Sequence, residues 1–299
     1  MATKNAIGSG DPIEVAAGGT GNSTLTDGGV LVGSGVGAVT SLSVGATGTL
    51  LTGITASDPI FATSSNGDFT FTSSSAGSTR TLKSENTDNT NSSSSGRVDI
   101  SVGGSSAGDP KINYIISGQQ TWSTGIDNSD SDKFKISASA ALETATALSC
   151  TTAGEITMPL QPAFNAACAT QSNVTGDATV YTVTFTTAEY FDQNNDFDGT
   201  STFTAPVTGK YQFNCQLNMD DLTTSHTSGT ITLSTSNRDY LTGYINSGAI
   251  KSSGDNSDLG FTFLVDMDSA DTAIVKITIS NGTKVVDVVS GWFNGFLAC

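Results

Sequence analysis

Apolar side chains in this chain return at every second position in short runs, and no stretch holds the three-to-four spacing of an amphipathic helix for long. The clearest runs lie beyond Pro159. "ATVYTVTFTTAEYF" places Tyr181, Val183 and Phe185 on one face with Thr182 and Thr184 opposite; "GKYQFNCQL" continues through Tyr211, Phe213 and Cys215; "GFTFLVDM", "AIVKITIS" and "VVSGWFNGFLA" follow. Such alternation, broken by Asn, Asp, Ser and Gly turns, predicts strands with one buried face and an all-β sandwich over 159–299. Within "FTAPVTGKYQF", Phe203 starts an inward alternation, Pro206 stops ladder pairing and Gly209 permits a tight reversal. Tyr211 and Phe213 then resume on the buried face, which predicts a hairpin corner anchoring a core.

Upstream the pattern weakens. Over 61–158, alternation at Phe69 and Phe71, an apolar point at Leu82, "RVDISVGG" and "PKINYIISGQQTWSTGID" predict a small β module with Ile112, Tyr114, Ile115, Ile116 and Trp122 as its core. "NTDNTNSSSSG" reads as a surface turn or loop. Residues 1–60 hold no aromatic side chain, and Leu25, Val30, Leu31, Val32, Val39, Leu42, Val44, Leu50 and Leu51 recur between Gly-rich turns. Alone such a segment buries too little to offset its ordering entropy, so it stays unordered or wraps with copies of itself. Its "GSGVG" has no strand before it and no helix after it, which argues against a phosphate-cradling loop.

Composition sharpens this picture in two respects. The 13% share of charged residues is about half the usual value, with Ser, Thr, Gly and Asn filling the gap, which favours short strands and turns. The net charge of −16, with scattered basic residues, speaks against nucleic acid and anionic membranes as partners. No run is long and apolar enough for a signal peptide or a membrane span, so the expectation is synthesis in soluble form without Sec-type export. Cys150, Cys168, Cys215 and Cys299 lack Cys-x-x-Cys spacing and read as buried or idle thiols.

Candidate chemistry is sparse. In "TWSTGIDNSDSDKFKIS" the oxygen donors Asp127, Asn128, Asp130 and Asp132 lack the Gly and bidentate Glu of a calcium loop, which favours a turn. Asp192, Asn194 and Asp196 match the first half of such a loop, but Phe197 and Phe203 occupy its sixth and twelfth positions; irregular structural calcium there stays open, and no other cofactor is expected. His226 is the one histidine and reads as decoration of an exposed turn, a single possible base for any Ser/His/Asp or Cys/His arrangement, so no catalytic residues are assigned. Glu189, Asp192, Asp196, Asp198, Asp220 and Asp221 supply acids for a glycan-cleaving alternative, but the chain has little room for the long β-helix of such enzymes. Loops at 218–229, 235–247 and 251–259 offer hydrogen bonds and stacking surfaces, with Arg238, Tyr240 and Tyr244 as candidate receptor contacts; each could equally just close a hairpin.

Two resemblances organise these regions. The Gly-Gly-Thr-Gly segment and "INYIISGQQTWSTGIDNSDSDKFKIS" resemble parts of tailed-phage fibres and tailspikes. Phe203, Gly209, Tyr211 and Phe213, with "QPAF" (including Phe164) and the closing Gly291, Phe293, Gly295 and Phe296, resemble the globular head of complement subcomponent q and the tumour-necrosis-factor-like jelly roll. What the resemblances imply is an elongated, all-β homotrimeric fibre: a Gly-rich virion-attachment or shaft segment (1–60), an intermediate β module (61–158) and a jelly-roll knob (159–299). They imply a phage tail fibre on the virion, made in the host cytoplasm, joined through its N-terminus to tail or baseplate proteins and recognising a host glycan or outer-surface protein. A head, neck or collar decoration fibre without receptor recognition is the alternative, and a bacterial surface adhesin is a third reading.

Overall fold

The computed structural model describes residues 20, 22, 29–33, 37–46, 49–54, 57–62, 76–77 and 79–299. Leu25 and the alternation at Phe69 and Phe71 lie outside the described residues. The chain divides into two units, 1–96 and 97–299. In the first, β1 (Val30–Val32) pairs antiparallel with β2 (Thr40–Leu42), and β3 (Leu50–Ile54) with β4 (Ser57–Ala62). Leu31, Val44, Leu50, Leu51 and Ile60 stay exposed, the cost of two ribbons with too few apolar residues to close a core.

The second unit begins without regular structure: the strand expected at 97–104 does not form. A five-stranded antiparallel meander follows, built of β5 (Lys111–Ile115), β6 (Thr121–Asp127), β7 (Lys133–Ser137), β8 (Thr146–Cys150) and β9 (Ile156–Thr157). Its faces are inverted relative to expectation. Ser123, Asp127, Lys135, Ser137 and Ser149 are buried, while the anticipated core of Ile112, Tyr114, Ile115, Ile116 and Trp122 is 42–68% exposed. The reason is local: the chain folds its own 138–146 loop toward the polar face, with Leu142 fully buried, Ala138 N–H donating to Ala145 O (3.0 Å) and Lys111 Nζ reaching Ala140 O (2.8 Å). There Lys135 Nζ lies 2.7 Å from Asp127 Oδ2 and 2.6 Å from Asp130 Oδ2. Asp127 Oδ1 also accepts from the backbone of Ser129 and Asp130 (3.1 Å each), so this tract is a turn closed by an ammonium ion.

The terminal region is a jelly-roll-like sandwich. Its front sheet runs β13 (Ala188–Asp192), β10 (Ala163–Cys168), β20 (Val286–Leu297), β15 (Gly209–Asp220), β18 (Ser257–Met267), with β11 (Gln171–Thr175) also on β20. The back sheet runs β12 (Val180–Thr182), β19 (Thr272–Ser280), β16 (Ser228–Thr235), β17 (Asp239–Leu241), with β14 (Phe203–Thr204) on β19. One helical turn, α1 (Ser247–Ile250), is capped by the Asn246 side chain. Successive strands mostly alternate between sheets, so a bulge or corner at each crossing sets which side chains point inward.

Phe203 and Tyr211 illustrate this. β14 lies in the back sheet and β15 in the front sheet, so the Phe203–Phe213 stretch is an inter-sheet corner and not a hairpin. Pro206 sits in the crossing outside both ladders. Tyr211, fully buried, donates its hydroxyl to Val207 O at 2.7 Å and so ties the corner to the strand it feeds. Gly209 serves close approach and not a left-handed turn: a Cβ there would come within 2.6 Å of the Leu297 side chain and 2.8 Å of Cys299 O.

Both sheets then contribute to one aromatic cluster. Phe164 stacks on Phe197 (4.9 Å) and Phe203 (5.1 Å) and meets Phe293 edge-on (5.0 Å). Gly295 stands opposite both Phe164 and Phe213 in the ladder, and a Cβ on it would lie 2.5 Å from the Phe213 ring. Phe296 leaves the core: it is 42% exposed because it directly follows inward-facing Gly295. In β20 the inward positions change from Val286 and Val288 to Phe293 and Gly295, a change of parity absorbed by the register shift at Asn218/Met219. Gly291 lies in β20 opposite Leu217.

Candidate functional site

The expected receptor contacts lie where the sandwich is open. β17 and β18 are edge strands of the two sheets, and Tyr240 closes the gap between them by packing on Phe263 (5.8 Å) and donating to Asp266 Oδ1 (3.2 Å). Arg238 Nη2 lies 3.4 Å from the other Asp266 oxygen. Its own backbone N–H, then the Arg238 guanidinium and the Tyr240 hydroxyl, hold the Asp266 carboxyl below the usual aspartate range. The preceding turn is fixed by Asp271, which accepts from Ser236 Oγ (2.7 Å) and Asn237 Nδ2 (2.6 Å). Arg238 and Tyr240 therefore form one preset patch. Tyr244 stands in the following segment, 81% exposed.

The acidic loop is organised differently. Asp192 accepts from the backbone of Asp196 (3.1 Å) and Phe197 (2.9 Å), which spends its carboxylate on closing the loop, while Asn194 and Asn195 take positive φ. Among the described residues no three His, Cys, Asp or Glu side chains come together as metal ligands. Asp196 Oδ2 is buried without a hydrogen-bond partner. Burial raises its carboxyl above the ordinary 3.8, and the Asp192 carboxylate pushes the same way. A raised carboxyl stabilises the fold only while protonated, and that contribution is lost as pH climbs from the unfolded value through the folded one. Asp196→Asn is therefore expected to melt higher than the parent at pH 7 in chelator, with the gap closing below about pH 3.8; thermal melts across that range check it, and a gap independent of pH would refute the assignment.

A third surface escaped the sequence reading. On the outward face of the front sheet, Asn165, Asn294, Asn214 and Thr262 stand in one row across four neighbouring strands. Asn214 Nδ2 donates to Asn294 Oδ1 and Thr262 Oγ1 to Asn214 Oδ1, both at 2.9 Å, while Asn165 Oδ1 is buried without a partner. Trp292 and Gln216 pair in the next row, and with Tyr190 they line a groove of about 570 Å³. The available signal was parity: Trp292, Asn294 and Phe296 occupy the face opposite Phe293 and Gly295.

No protein-family model matches the chain, and no curated protein matches it. Among solved structures, the globular domain of zebrafish complement 1qA is similar at 19% identity over 46% of this chain and 98% of that one, with a TM-score of 0.33. Murine APRIL is similar at 15% identity over 46% of this chain and 98% of its own, with a TM-score of 0.30. The jelly-roll-like assignment stands on the strand order and register given above.

His226 is no exposed turn decoration. It is fully buried, its Nδ1 accepting from Thr223 N–H (2.9 Å), which fixes the proton on Nε2 for donation to Thr283 O (3.1 Å). Gly176 and Gly282 leave room for its ring, so its role is to pin three connections together. The thiols of Cys168 and Cys215 are both removed from chemistry: burial pushes Cys168 up to about 11 and raises Cys215 well above the ordinary thiol range, while Cys299 is exposed.

Proposed function

We propose that this chain is a homotrimeric tailed-phage fibre protein, seated on the virion through its N-terminal segment and meeting the host surface with its terminal sandwich. The observation that carries this reading is the contrast between two surfaces of that sandwich. The centre of the front sheet's outward face is uncharged, with an amide row flanked by Trp292, Phe296 and Leu264, which suits packing against copies of itself. The Arg238–Tyr240 patch, with Tyr244 beyond it, offers an anchored guanidinium and aromatic rings, which suits a glycan or an outer-surface protein. Tail or baseplate proteins are the proposed partners of the N-terminus.

The test is binding of fluorescently labelled full-length protein, with its trimeric state verified by sedimentation, to cells the parent phage infects, with and without calcium chelation. Saturable binding, competed by unlabelled protein and weakened about tenfold by Tyr240→Ala or Tyr244→Ala, is expected. A stable trimer that ignores susceptible cells would instead identify a head, neck or collar decoration fibre.

A further inference from the structure

The meander β5–β9 covers its polar face with its own chain and leaves the apolar face open. Ile112, Tyr114, Trp122, Ile126, Phe134 and Ile156 share that face by register and alternation, each 40–60% exposed. At roughly 100 Å² apiece they present on the order of 600 Å², the upper end of what a monomer leaves bare. Every strand position on this face is free of Asp, Glu, Lys and Arg.

We propose that this face is an interface between copies of this chain, a second assembly surface separate from the sandwich. Three observations select a copy over a foreign partner. In a chain of net charge −16, copies repel wherever their acids meet, and this uncharged face is where they approach at least cost. Three such faces turned toward a shared axis would bury on the order of 1,800 Å² in all, within the size range of a specific interface. Only residues 158–162 separate β9 from β10, a reach of at most about 22 Å, and Gln193 Nε2 pins that link through Met158 O (2.7 Å) and Gln161 O (2.8 Å). The last point rests on the proposed assembly of the sandwiches: once they associate, the meanders are held at high effective concentration with their bare faces within reach.

The chain's two tryptophans, Trp122 and Trp292, allow a direct test, one reporting on each face. In full-length protein carrying Trp292→Phe, acrylamide quenching of Trp122 is measured on the sample whose mass sedimentation determines. The expected result is an oligomer with Trp122 quenched several-fold less than in the same protein bearing Phe134→Asp, while Trp292, read in a Trp122→Phe background, is indifferent to that substitution. Free indole serves as the absolute reference should Phe134→Asp disturb the fold. An oligomer whose Trp122 is quenched as readily as in the Phe134→Asp variant overturns the inference and leaves the trimeric reading intact. Unsubstituted full-length protein that sediments as a monomer overturns both.

Discussion

Phe164→Ala is expected to cost the terminal sandwich about 3–5 kcal/mol, the range for truncating a fully enclosed phenylalanine. Phe164 touches rings from the front sheet (Phe213, Phe293), the back sheet (Phe203) and a connection (Phe197), so its loss opens a void that no single strand can fill by shifting. Urea unfolding followed by Trp292 fluorescence should show a lower midpoint with an unchanged slope. A midpoint shift worth less than about 1 kcal/mol would mean that the two sheets are not joined through this cluster.

Lys135→Ala should damage the meander on a similar scale, by about 3–5 kcal/mol, because it strands the fully buried Asp127 carboxylate. Burial pushes Asp127 up, but the Lys135 ammonium and Ser129 more than offset it, and the group ends below its ordinary 3.8. The sign follows: a lowered carboxyl contributes stability above the unfolded value, and the contribution disappears as pH falls through the folded one. Parent protein should therefore lose meander stability below about pH 3.8, whereas Lys135→Ala, already lacking the pair, should lose little more there. Trp122 emission in a Trp292→Phe background reads both effects, and identical acid profiles for the two proteins would refute the pairing.

The sandwich was legible because its strands obey one rule, alternation, over long runs: Tyr211, Phe213 and Cys215 all point inward as their spacing requires. Phe296 broke the reading because it shares no parity with Phe293, a check available in the sequence. The register shift in β20 was not available, since it depends on how Asn218 and Met219 meet their partner strand. The meander failed for a deeper reason. Periodicity at Trp122, Thr124 and Ile126 tells which side chains share a face, but whether the chain covers that face itself depends on where the 138–146 loop goes. Candidate contacts were legible as residue types; that Arg238 and Tyr240 meet at Asp266 while Tyr244 stands alone is a fact of the β17–β18 edge.

The placement of β20 has a consequence in time. It is the last strand in sequence yet lies between β10 and β15 in the middle of the front sheet, and Phe164 cannot find Phe293 until more than a hundred intervening residues have been made. Translation must therefore deliver Leu297 before that sheet can exist, so the nascent sandwich emerges from the ribosome without its central strand, and ribosomes that stop early release chains with no closed core. Pairing across such a separation is slow to search. Whatever holds these unfinished chains apart during that interval matters as much as the stability of the finished fold.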